Sequence, residues 1–109
     1  MGTRCLTIVK ERGQEVLVMY RQMDGYPEGH GAELKEFLAD KVMVNGIGGT
    51  DKNIFNGMGC LAGQIVAHFK TEPGNFYLHP SGTRGVGEEY IYYVTAKLGE
   101  RAKITTEEV

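Results

Sequence analysis

The segment EEYIYYVTAKL, residues 88–98, constrains the fold more than any other part of the chain. Alternate residues of an extended strand point to opposite faces of a sheet, and here both faces carry large side chains. These are Tyr90, Tyr92 and Val94 on one face and Ile91, Tyr93 and Thr95 on the other. One pair of helices covers only one face. The other face therefore needs a second copy of the chain or a ligand groove lined by tyrosines, and we predict a homo-oligomer.

The other periodic segments predict the remaining elements of the fold. RCLTIVK (4–10) and EVLVMYRQ (15–22) read as a hairpin with Gly13 in its turn, where a positive φ costs least. The segments that follow are predicted as helices over 31–40 and 58–70 and strands over 75–80, 88–98 and 101–106, with 41–47 compatible with a short strand. This order predicts an α+β fold in one domain, residues 1–109, with an antiparallel sheet of four to five strands and two helices packed on one face.

Composition excludes several classes of function. The formal net charge of -2 gives no general attraction to duplex DNA or to an anionic membrane surface. No apolar run is long enough to span a membrane, and Arg4 interrupts the N-terminal apolar run that a signal peptide would need. Cys5 and Cys60 have no paired spacing, and the three histidines are scattered. We therefore expect no disulfide, metal or cofactor, and a cytoplasmic location.

The 16 glycines are clustered, and three irregular segments, 22–31, 45–59 and 79–89, hold most of the polar functional groups. The first contains MDGYPEGHG, in which Pro27 stiffens the chain and the glycines allow tight turns. We interpret it as a rigid loop that presents Tyr26 and His30 to a small molecule. The alternative is a structural turn that only leads into the first helix.

A second glycine-rich stretch, NGMGCLAG, begins the second helix. Its glycines resemble a dinucleotide-binding pattern, but the preceding strand and the following acidic residue of a Rossmann unit are missing. Two interpretations remain. Exposed N–H groups near Asn56 and Gly57 hold an anion at the helix start, or Asn56 caps the helix and the glycines serve packing.

Arginines and histidines beside the irregular segments complete the candidate site. Arg21 and Arg84 stand where strands meet loops and are suited to grip a phosphate, whereas Arg12 and Arg101 are expected in turns facing solvent. His30 and His79 are candidates for ligand contact or for an acid–base pair in phosphodiester chemistry. A salt bridge between Arg21 and Asp24 that fixes the loop is the structural alternative. The predicted ligand-binding set is Arg21, Asp24, Tyr26, His30, Asn56, Gly57, His79 and Arg84, and no catalytic residue is assigned.

The stretches YRQMDGYPEGHGAELKEFL, NGMGCLAGQIVAHFK and EEYIYYV resemble small uncharacterised proteins of phages and bacterial genomes that share an Asp-Gly-Tyr-Pro motif before a helix. In size, composition and lack of a catalytic motif the chain also looks like phage proteins that sequester cyclic nucleotide or cyclic ADP-ribose immune signals. This analogy implies non-catalytic binding of a small anionic nucleotide-type ligand in the cytoplasm of a bacterial host. The alternatives are a phosphodiester hydrolase of such a ligand and a structural or partner-binding phage protein.

Overall fold

The computed structural model describes residues 2–46 and 53–109. One turn of π-helix, Pro27–Gly31, leads into the first α-helix. The elements are β1 Cys5–Glu11, β2 Gln14–Arg21, α1 Ala32–Leu38, β3 Val42–Val44, β4 Ile54–Asn56, α2 Gly57–Phe69, β5 Phe76–His79, β6 Tyr90–Thr95 and β7 Lys103–Glu108. Within this part of the chain no helix is long and apolar enough to cross a membrane.

The main sheet has five strands in the order β5-β2-β1-β6-β7, and β3 and β4 form a small second sheet. The predicted α+β class is therefore confirmed. Three pairings of the main sheet are antiparallel, but β1 and β6 run parallel, so the sheet is mixed rather than wholly antiparallel. A parallel pair requires a long crossover, and both helices and β5 supply it between β2 and β6.

Most predicted elements lie within a few residues of the observed ones, and the differences are local. The strand β4 falls in the segment 45–59, which the sequence indicated as irregular; residues 47–52 of that segment lie outside the described residues. The strand β7 extends to Glu108, beyond the predicted end at residue 106. β4 has only three residues, too few for a periodic pattern to stand out from the neighbouring glycines and asparagines.

Both helices pack on one face of the main sheet, as predicted. The core there combines alternate residues of β1, β2 and β6 with the apolar stripes of α1 and α2. Leu34 and Leu38 come from α1, whereas Leu61, Ile65 and Phe69 come from α2, and all five are buried. We call this side of the sheet the helix face.

The centre of the opposite face of the sheet is covered by the chain itself. Its buried cluster is Leu6, Ile8, Val18 and Ile91, against which Tyr20, Val86 and Tyr93 pack. Val86 belongs to the segment 80–89, which is tied to β2 by an ion pair between Arg84 and Glu15, 2.7 Å from Nη2 to Oε2. A second copy is therefore not needed to bury the centre of this face, although Tyr77, opposite Tyr20 in the sheet, is exposed. The homo-oligomer stays a prediction and requires a different basis.

Candidate functional site

The MDGYPEGHG segment lies against the N-terminal end of β1, where its backbone makes close contacts. The Gly25 N–H donates to the Thr3 carbonyl at 2.8 Å, and a Cβ on Gly25 would come within 2.8 Å of the Cys5 Cβ. The Tyr92 hydroxyl donates to the Gly25 carbonyl at 2.7 Å. Gly25 is therefore glycine because the loop backbone packs directly on a strand, with no room for a side chain.

His30 is fully buried, with an exposed fraction of 0%. Its Nδ1 lies 3.1 Å from Arg21 Nη1, and its Nε2 lies 2.6 Å from Thr7 Oγ1. A guanidinium only donates hydrogen bonds, so Nδ1 must be the acceptor, and the proton of the neutral ring sits on Nε2, which donates to Thr7. Burial, helped by the charge of Arg21, lowers the pKa of His30 to about 3. The ring is therefore neutral near pH 7.

The Arg21 side chain connects this histidine to the surface. It is 9% exposed and forms an ion pair with Glu33, at the start of α1. Asp24, the partner considered from the sequence, lies 3.9 Å away and is the weaker contact. The guanidinium also lies 5.0 Å from the centre of the Phe76 ring, and its buried Nε has no hydrogen-bond partner in the described residues. Arg21 is thus neutralised by carboxylates and largely occupied.

These contacts favour the structural interpretation of MDGYPEGHG. His30 was predicted to face a small molecule, but its ring lies between Phe69 and Tyr92, at centroid distances of 5.1 and 5.4 Å, and has no exposed nitrogen. Asp24 and Tyr26 are exposed and can still meet a ligand. The sequence did not reveal the buried network because Thr7, His30 and Glu33 come from three separate elements.

The start of α2 is already occupied by an anionic group of the protein. The Glu11 carboxylate accepts a hydrogen bond from the Met58 N–H at 3.3 Å. Asn56 stands at the N-cap position, but its side chain makes no capping hydrogen bond, so the alternative in which Asn56 caps the helix is wrong. Its Oδ1 accepts instead from the Gly46 N–H at 3.0 Å. Gly57 has a φ of +82° and lies under the Glu11 carboxylate. A carboxylate at this position satisfies the helix end as an external anion would.

His79 and Arg84 lie on the opposite face of the sheet from His30. His79 pairs with Val18 and packs edge-on against the Tyr20 ring, at a centroid distance of 5.9 Å. The hydrogen bond from Arg84 lowers the pKa of Glu15. Because the sheet separates His30 from His79, the two imidazoles do not form an acid–base pair on one substrate.

The eight predicted residues therefore fall in three places rather than one. Four lie in or beside the MDGYPEGHG loop, two lie at the start of α2 beyond the other end of β1, and two lie on the face opposite the helices. The first group is Arg21, Asp24, Tyr26 and His30, the second is Asn56 and Gly57, and the third is His79 and Arg84. Their contacts with a ligand stay predictions.

A groove that the sequence did not indicate runs between α1 and β7. Its volume is about 590 Å³. Leu38, Tyr92 and Ile104 provide apolar lining, and Lys35 and Arg101 provide its charged side chains. Arg101 was expected in a turn facing solvent, and it is exposed; it forms an isolated bridge with Val42 and also lines this groove. We call this the α1–β7 groove.

The charge of this groove differs from that of three other pockets in the described part of the chain. The α1–β7 groove has no carboxylate among its lining residues. Each of the others has at least one, namely Glu33 and Glu36 beside Arg21, Glu11 at the start of α2, and Glu88 and Glu107 beside Arg84. Acidic residues do lie near Tyr90, where Glu108, together with partial desolvation and Glu28, raises the pKa of the tyrosine. The lining is therefore locally cationic at Lys35 and Arg101.

No protein-family model, curated protein or solved structure matches this chain. The described residues contain no group of three or more His, Cys, Asp or Glu side chains placed to hold a metal ion. The fold and its grooves define a small α+β protein with a cationic, partly apolar groove beside the sheet.

Proposed function

We propose that the protein binds a small anionic ligand of the nucleotide type in the α1–β7 groove and holds it without cleaving it. The observation that supports this most directly is the pairing of two cations, Lys35 and Arg101, with apolar lining and no lining carboxylate. Ligand sites are commonly concave and largely apolar, with a few polar groups that fix orientation. The volume of about 590 Å³ lies in the usual range for such sites.

The chemistry of the lining selects the class of ligand. Among the described residues neither Lys35 nor Arg101 has an ion-pair partner, so neither cation must give up a protein contact to bind an anion. The guanidinium of Arg101 suits a phosphate because it donates two parallel hydrogen bonds. The apolar lining from Leu38 and Ile104 suits the flat face of a base.

Binding is tested with a panel of mononucleotides and cyclic nucleotides, with adenosine as the uncharged comparison. Arg101→Gln and Lys35→Gln each remove one cation, and each should weaken binding by roughly 10- to 150-fold, the value of one charge-assisted contact. Arg12→Gln is the matched control, because Arg12 is an exposed arginine in the hairpin turn. A panel that raises no melting temperature, or an equal loss from Arg12→Gln, would contradict the proposal.

Holding is distinguished from hydrolysis by the fate of the ligand. The complex is formed, the protein is denatured, and the released compound is identified by mass spectrometry. Intact ligand is expected, and fragments would favour the hydrolase. The resemblance to phage proteins extends the proposal to sequestration of a cyclic nucleotide or cyclic ADP-ribose immune signal in the bacterial cytoplasm.

A further inference from the structure

The two edges of the main sheet differ in how far they are blocked. At the β5 edge, the Asn75 carbonyl accepts from the Gln22 N–H, so Asn75 points towards β2 and Phe76 points outward. The outward Phe76 carbonyl accepts from Lys70 Nζ at 2.9 Å, and its N–H donates to the Gly74 carbonyl at 2.7 Å. The chain itself therefore blocks the Phe76 part of this short edge, a common protection against strand addition, whereas the outward backbone groups of Leu78 have no hydrogen-bond partner among the described residues.

The β7 edge is open. The Val109 N–H donates to the Glu89 carbonyl at 2.9 Å, so the alternation of the strand turns the N–H and carbonyl groups of Ile104, Thr106 and Glu108 away from β6. Among the described residues no backbone hydrogen bond reaches these outward groups. A full strand edge is thus available to another strand.

The sequence of β7 is complementary to itself in one register. An antiparallel pair of β7 strands centred on Thr105 places Lys103 opposite Glu107 of a second copy, and two-fold symmetry repeats this pair. It also places Ile104 opposite Thr106. Within each pair the two side chains point to the same face of the sheet and can contact one another. Centring the pair on Thr106 instead puts Ile104 opposite a carboxylate, Glu108, which is less favourable.

From the open edge and its charge complementarity we propose that two copies of this chain pair through β7, antiparallel and centred on Thr105, to form one continuous sheet. This two-fold pairing occupies the β7 edge of both copies, so the assembly closes as a dimer. Ile104 also lines the α1–β7 groove, so the second strand lies along the outer side of that groove. The dimer does not depend on the proposed ligand, and its test uses the protein alone.

Charge exchange tests the register. Sedimentation over a concentration series should show the 12.0 kDa monomer converting to a dimer of twice that mass. Lys103→Glu and Glu107→Lys each place like charges opposite one another twice, and each should weaken the dimer by about 10- to 30-fold. The double variant restores opposite charges and should recover most of the affinity. A wild-type monomer up to about 300 μM, or no recovery in the double variant, would overturn the proposal.

A backbone variant tests the edge independently of charge. Thr106→Pro removes an outward N–H, which an edge strand tolerates, so the variant should fold and remain monomeric. Thr105→Pro is the matched control, because its N–H points into the sheet towards Tyr93 and its loss should lower the melting temperature much more. A Thr106→Pro protein that still dimerises with wild-type affinity refutes pairing through this edge.

Discussion

Protonation of His30 is expected to couple the stability of the fold to pH. The pKa of this buried imidazole is about 3 in the folded chain, against 6.5 for an ordinary histidine. Between these values the unfolded chain binds a proton that the folded chain excludes. The contribution of neutral His30 to the unfolding free energy is therefore fully present above about pH 6.5. It decreases as the pH falls and is lost below about pH 3.

The size of the effect follows from the same two values. Each pH unit inside the window costs about 1.4 kcal/mol, so lowering the pH from 6.5 to about 5.0 should cost roughly 1.5–2 kcal/mol through His30. Glu15, whose pKa is lowered by the hydrogen bond from Arg84, affects stability only at more acidic pH. Measurements above about pH 5 therefore isolate the histidine.

The assay is urea unfolding of the wild type and of His30→Gln from about pH 7.5 to about pH 5.0. Glutamine offers one acceptor and one donor in place of the two ring nitrogens but does not titrate. The variant should be less stable at neutral pH, because its shape differs, yet its stability should depend less on pH. His68→Gln changes an exposed histidine of α2 and should leave the pH dependence of the wild type unchanged.

The pH dependence of the unfolding free energy in the wild type and in the variants shows whether His30 is the titrating group. Equal slopes for wild type and His30→Gln would show that His30 is not held neutral in the core. The buried pairing with Thr7 and Arg21 would then be wrong. A flattened slope in His68→Gln would assign the pH dependence to the surface instead.

Two further pairs of substitutions test local packing. Glu11→Ala removes the carboxylate at the start of α2 and should cost about 0.5–2 kcal/mol of unfolding free energy. Asn56→Ala removes no capping bond and should cost less. Equal losses of unfolding free energy in chemical denaturation would contradict this expectation. Gly25→Ala should cost about 1–3 kcal/mol, because its Cβ would meet Cys5. Gly59→Ala, in open space on α2, should stabilise by about 0.5–1 kcal/mol, and thermal unfolding of both variants checks the difference in sign.

The buried network changes the meaning of the MDGYPEGHG motif. A histidine and an arginine beside a glycine-rich loop suggest a binding site when only the sequence is known. In the structure their polar groups mainly satisfy one another, although Arg21 Nε has no partner in the part of the chain that the structure describes. Lys35 and Arg101, which have no ion-pair partner among the described residues, line the α1–β7 groove instead, where the sequence offered no motif to mark them.

Local periodicity was sufficient to predict much of the fold. The alternation in β6 correctly placed Tyr92 and Ile91 on opposite faces, and they are 1% and 4% exposed in the two separate clusters. The stripe of α2, with Leu61 and Ile65 on its buried side, was likewise apparent. Such patterns can be read from sequence because they depend on the geometry of a single element.

Tertiary structure alone decided which elements meet. The pattern of β1 shows that it is buried but does not show that β6 runs parallel beside it. The bond between Thr7 and His30 joins residues 23 positions apart, and the bond between Gly25 and Tyr92 joins residues 67 positions apart. These contacts, like the position of Arg101 beside α1, follow from the packing of the whole chain, since the same local pattern is compatible with several neighbours.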